Sequence, residues 1–113
     1  MSRSLWEILI PKTSNDGTVI SPCVRHSWDE EIRKISGGLT VLSPVEGHWI
    51  AESGALFKEE MVPVRVLATP KEMEKIIDLT FVHYKQESVL AYELSKNYIL
   101  KTNDSLKISG KFK

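Results

Sequence analysis

Three histidines and one cysteine are the side chains of this sequence best suited to nucleophilic, acid–base or metal chemistry. His26, His48 and His83 stand far apart, in neither an HExxH nor an HxH spacing. A metal site would need long-range convergence, and none is expected. Cys23 follows Pro22 near the start of a helix, where the helix dipole favours thiolate, and His26 lies about one turn further on. Catalytic cysteines usually draw their base from elsewhere in the chain, so the plainer reading, two surface side chains, leads. His48 and Trp49 are neighbours on an expected strand and point to opposite faces. Either Trp49 enters the core and His48 looks out from the uncovered sheet face, or the reverse. His83 lies to the side of an apolar helix stripe, and Tyr92 belongs to the last expected strand. His48, Trp49, His83 and Tyr92 are therefore the candidate ligand-binding residues, with a structural tryptophan and surface histidines as the simpler alternative. Asp29-Glu30-Glu31 and Glu59-Glu60 read as solvated carboxylates. No phosphate loop, nucleophile elbow or kinase signature is present, and neither a catalytic residue nor a cofactor is assigned.

Charge adds one more candidate. The chain has 113 residues, with 15 lysines and arginines against 15 aspartates and glutamates. That neutrality argues against a dedicated nucleic-acid binder, which is usually strongly basic. It is also a cancellation, since residues 95–113 hold five lysines and one aspartate, +4, and residues 1–94 carry −4. Lys101, Lys107, Lys111 and Lys113 could make a weak nucleic-acid contact, although a solvated tail is the simpler expectation.

Two helices must position these groups. Thr69-Pro70-Lys71-Glu72 is a capping box with proline at the first helical position, and Met73, Ile76, Ile77, Thr80, Phe81 and Tyr84 form one stripe behind it. This helix is expected over residues 70–85. The other runs between Ser21 and Gly37 with Val24, Trp28, Ile32 and Ile35 on its apolar side. Its start is either Ser21-Pro22 or a capping box at Ser27 and Glu30, and Gly37-Gly38 closes it. Strands are expected over residues 4–10, 39–42 resuming bent or bulged at 47–50 after Pro44, 61–68, and 88–94 with residues 97–100 as a continuation. Pro63 cannot donate to a ladder, which marks its end of the strand as an edge or a bulge. Asn15-Asp16-Gly17 reads as a turn.

The order β-α-β-β-α-β is that of a ferredoxin-like α+β domain, with two helices on one face of a four-stranded antiparallel sheet. Residues 1–100 form this domain, and residues 101–113 are a basic tail or short hairpin. The GG-x-T segment at Gly37-Gly38-Leu39-Thr40, the G-x-W segment at Gly47-His48-Trp49 and Gln86-Glu87-Ser88-Val89-Leu90 occur here in that order. As a set they resemble short prokaryotic and phage proteins grouped as a domain of unknown function. The resemblance spans roughly Leu5 to Leu94. It implies a ferredoxin-like fold and no particular activity; some members carry a signal peptide, which is not expected here.

The longest apolar run near the start, Ile8-Leu9-Ile10, is too short for a leader or a spanning helix, so a cytoplasmic protein without membrane contact is expected. Leu5, Leu9, Met61, Leu67, Leu90 and Leu94 exceed what one helix-facing side requires, and predict a homodimer packed sheet to sheet. The functional expectation is a small binding or regulatory module rather than an enzyme. The alternatives are a dimeric enzyme with a small-molecule pocket lined by His48 and Trp49, or weak nucleic-acid binding through the tail.

Overall fold

The computed structural model of the chain describes residues 2–103. Its elements are β1 (Ser4–Pro11), α1 (Pro22–Ser36), β2 (Thr40–Val41), β3 (Val45–Ile50), β4 (Leu56–Ala68), α2 (Pro70–Tyr84) and β5 (Leu90–Ser95). This is the expected ferredoxin-like βαββαβ order, with the second strand split into β2 and β3. The sheet runs β2-β4-β1-β5, β3 also pairs with β4, and every pairing is antiparallel. The hairpin expected beyond Lys101 falls outside the described residues, as do Lys107, Lys111 and Lys113. Residues 97–100 do not continue β5 as a strand.

Local chemistry fixes both helices. Ser21 resolves the ambiguous start of α1: its side chain accepts the Val24 N–H, Pro22 occupies the first turn, and Gly37 closes the helix at φ 89°. Thr69 and Glu72 complete the capping box of α2 reciprocally. Ile8, Ile10, Val62, Val64, Val66 and Ala68 point from β1 and β4 into the helix side, where Trp28, Ile32, Met73 and Ile76 meet them. The Trp28 indole N–H donates to Thr80 Oγ1 at 3.0 Å, and that hydroxyl donates to the Ile76 carbonyl at 2.6 Å. One threonine thus satisfies the most bulky buried side chain and itself.

Pro63 corrects the expectation of an edge or bulge. It lies inside β4, a central strand with unbroken register against β1. A residue's N–H and C=O point to the same neighbouring strand, and the Pro63 carbonyl accepts the Leu42 N–H at 2.9 Å. Its missing donor therefore faces residues 42–44, where the second strand leaves the ladder between β2 and β3. The proline and the interruption match each other.

Beyond that break, β3 and the first half of β4 form a hairpin arm that no helix covers. Trp49 is 51% exposed, and Ile50, Leu56 and Phe57 are also exposed. The molecule is correspondingly elongated, 57 × 30 × 22 Å. Trp49 is thus not the core residue of the simpler expectation, because its strand has left the layer of helices. Residues 56–60 were not expected as strand, since without a covering helix they show no apolar alternation.

Candidate functional site

The helix-free sheet face carries the most unusual arrangement of side chains. Register places Thr40 opposite Arg65, Arg65 opposite Glu7, and Glu7 opposite Tyr92, one polar row across β2, β4, β1 and β5. The adjoining rows are apolar, Leu67 with Leu5 on one side and Pro63, Leu9 and Leu90 on the other. Glu7 is only 8% exposed although it lies on this open face. Its Oε1 accepts the Arg65 Nε–H at 3.0 Å, and its Oε2 accepts the Tyr92 hydroxyl. The Tyr92 bond first, and then Arg65, hold the Glu7 carboxyl below the ordinary carboxylate range against the opposing effect of burial. The same bond raises the Tyr92 phenol above its usual value. The row is a charge-paired network, and a buried carboxylate without such partners would not stay ionised.

At the β2 end of the row lies a cleft of about 320 Å³ whose walls include Arg3, Arg65, Gly37, Gly38, Thr40 and Leu100. The end of α1 builds one wall. Ser36 Oγ lies 3.0 Å from Ile32 O and 2.8 Å from Gly38 O and shares its one proton between them, which holds the diglycine turn against the helix. Arg3 Nη1 donates to Ser36 O at 3.1 Å, and Arg3 Nε lies 3.6 Å from Glu72. The positive φ of Gly37 favours glycine, whereas Gly38 lies outside that region and a Cβ on it would meet nothing within 4 Å. The cleft is therefore lined by two guanidinium groups, Arg3 and Arg65, with Arg3 bonded to the last carbonyl of α1.

The four candidate residues from the sequence occupy separate places. His48 and Trp49 do alternate. Trp49 pairs with Phe57 on the side of β3 shared with Val45 and Met61, while His48 pairs with Lys58 on the other. His48 Nε2 lies 2.7 Å from Glu46 Oε2, both exposed. Trp49 instead lines a groove of about 610 Å³ with Phe57 and residues 86–88. The two therefore do not line one pocket. His83 Nε2 lies 2.8 Å from the Val24 carbonyl, to which it donates, and its ring stands edge-on to Tyr84 at 4.8 Å. It bridges the two helices. Tyr92 is the one candidate in the polar row. Cys23 and His26 are exposed on α1, and Lys101 is exposed. Among the described residues no group of three or more His, Cys, Asp or Glu side chains is placed to hold a metal ion, and no helix is long and apolar enough to cross a membrane.

Glu7, Arg65, Arg3 and the diglycine were not among the candidate residues. Glu7 had a signal, as the sole charge in a strand otherwise apolar on both faces. Arg65 stood on the face of its strand opposite the buried valines. Nothing local announces that the two are cross-strand partners.

No protein-family model matches the sequence, and no curated protein matches it. Solved structures do. The divalent cation tolerance protein CutA1 from Thermus thermophilus aligns over 91% of this chain and 89% of its own, at TM-score 0.62 and 10% identity. A phage SAM lyase in complex with S-methyl-5′-thioadenosine aligns over 84% and 82%, at TM-score 0.64 and 16% identity. The Bacillus subtilis GlnK–ATP complex aligns over 84% and 85%, at TM-score 0.52 and 16% identity. At such identities the likeness establishes the ferredoxin-like fold they share.

Proposed function

We propose that the chain is a self-associating binding module that holds an adenosine-containing small molecule in the cleft at Gly37-Gly38. The observation that carries this reading is a cleft lined by two guanidinium groups, Arg3 and Arg65, and by the polar backbone at the end of α1. An adenosine compound has the matching halves: an amino group and ribose hydroxyls that donate, joined to a 5′ substituent that is often anionic. Two proteins of the same fold carry such compounds in their solved structures, ATP in GlnK and S-methyl-5′-thioadenosine in the phage lyase. A volume of about 320 Å³ is in the range of small-molecule sites.

Self-association follows from the uncovered arm, with Trp49, Ile50, Leu56 and Phe57 exposed, and from exposed Leu90 and Leu94 on β5. The dimer expected from the sequence would pack like face on like face. The arm and the β5 edge are different surfaces of one chain, however. A contact between them on successive copies is head to tail and gives a closed ring where the rotation between copies closes, for which three copies are the fewest beyond a pair. We read the assembly as such a ring. Calorimetric titration with adenosine, S-methyl-5′-thioadenosine and ATP tests the ligand reading. Saturable binding of at least one is expected, weakened tenfold or more in Gly38→Val, whose side chain enters the cleft without backbone strain. Absence of binding by all three refutes it.

A second reading is catalytic: a lyase acting on SAM. The network of Glu7, Arg65 and Tyr92, of which Arg65 lines the cleft, favours it, because perturbed carboxylate and phenol groups beside an arginine are typical of catalytic sites. Incubation with S-adenosylmethionine and chromatographic detection of S-methyl-5′-thioadenosine decides it. No product above a blank removes this reading and leaves the first.

A further inference from the structure

We infer that Arg65 is the anion-reading residue of the cleft and that Glu7 and Tyr92 are its positioning residues, so that the ligand carries a phosphate or carboxylate on the 5′ side of its nucleoside. This rests on the proposed adenosine site and names the chemistry that selects its ligand.

Arg65 has a long, flexible stem and emerges exposed between the buried Val64 and Val66, yet it is fixed at two points. Its backbone sits in the centre of the sheet between Thr40 and Glu7, and its Nε is held by Glu7 Oε1 at 3.0 Å. Glu7 cannot swing away, because Tyr92 holds its other oxygen and the residue is 8% exposed. A guanidinium has five N–H donors, and the bond to Glu7 uses the inner one. The Arg65 side chain is 45% exposed and lines the cleft, so its outer donors face the space a ligand would fill. Rotamer entropy is the main cost of using a surface arginine for recognition, and the Glu7 bond removes it before a ligand arrives. Arg3 lies in the same cleft, but its Nε faces Glu72 at 3.6 Å and its Nη1 is committed to Ser36 O. It adds positive potential without the same freedom. The α1 end contributes carbonyls, which repel an anion, so the anionic group must lie toward Arg65.

The polar row also explains why an otherwise apolar face keeps a buried carboxylate. A row of leucines would pack more cheaply against another copy, whereas a held arginine serves recognition.

The experiment is calorimetric titration of the full chain with adenosine, AMP, S-methyl-5′-thioadenosine, S-adenosylmethionine and inorganic pyrophosphate, on wild type, Arg65→Gln and Arg65→Lys, with folding checked by thermal melting. AMP is expected to bind roughly ten- to a hundredfold tighter than adenosine, the size of one charge-assisted pair. Arg65→Gln should erase that ratio, and Arg65→Lys should restore part of it. A preference for S-adenosylmethionine over S-methyl-5′-thioadenosine that Arg65→Gln abolishes, with no AMP preference, identifies a carboxylate instead of a phosphate and supports the inference equally. Equal affinity for charged and neutral nucleosides overturns the inference and leaves the adenosine site standing. Binding of pyrophosphate that depends on Arg65, with no nucleoside bound, keeps the anion site and removes the adenosine reading. Failure of pyrophosphate and of every nucleoside overturns both.

Discussion

Thr80 shows how much one side chain can carry. It is fully buried, accepts from the Trp28 indole and donates to the Ile76 carbonyl. Thr80→Val keeps the shape but strands the indole N–H, so unfolding by denaturant should show a loss of about 1–3 kcal/mol. Thr80→Ser, which keeps the hydroxyl, should lose less. Tyr84 gives a pH signature nearby, where burial pushes its phenol up to about 12 from 10.0. The folded state thus favours the protonated phenol. The associated stability is complete below about pH 10 and disappears as pH rises through about 12. Melting curves should show that alkaline decline in the native chain and a shallower one in Tyr84→Phe. Glu7 works in the opposite sense, because its lowered carboxyl contributes stability that is present above the ordinary carboxylate range and lost on acidification.

Elements with strong local chemistry were legible in the sequence. The α2 capping box lies where Thr69-Pro70-Lys71-Glu72 puts it, and Gly37 ends α1 because a left-handed residue is needed there. Gly37→Ala should cost about 1 kcal/mol from its φ of 89°, measured by chemical denaturation, whereas Gly38→Ala should be nearly neutral to folding. The bend between β2 and β3 was also readable, from Pro44. Less was readable where tertiary context decides. β4 begins at Leu56, five residues before the apolar alternation does, because the arm has no helix to face and so needs no alternation. Pro63 suggested an edge in a strand that is central, since only the partner strand's interruption makes room for its missing donor. The polar row was least legible: each residue is visible alone, but cross-strand register is a property of the pair.

At the scale of the molecule, the uncovered arm, with Trp49, Ile50, Leu56 and Phe57 exposed, and Leu90 on β5 leave surface that a solitary chain has little reason to expose. Sedimentation at rising concentration should reveal a closed assembly, and replacing Trp49 and Phe57 together with serine should shift it toward monomer without lowering the melting temperature of the monomeric domain. A strictly monomeric chain at high concentration would contradict the ring. The functional account rests on one place, the cleft between the end of α1 and the β2 end of the polar row. An amide-resolved NMR titration with an adenosine nucleotide tests it most directly, since Gly37 and Gly38 give distinctive signals. The account predicts saturable shifts at Gly37, Gly38, Thr40 and Arg65, extending to Glu7 and Tyr92 along the row. Shifts confined to the groove at Trp49 and Ser88, or no shifts at saturating nucleotide, would contradict it.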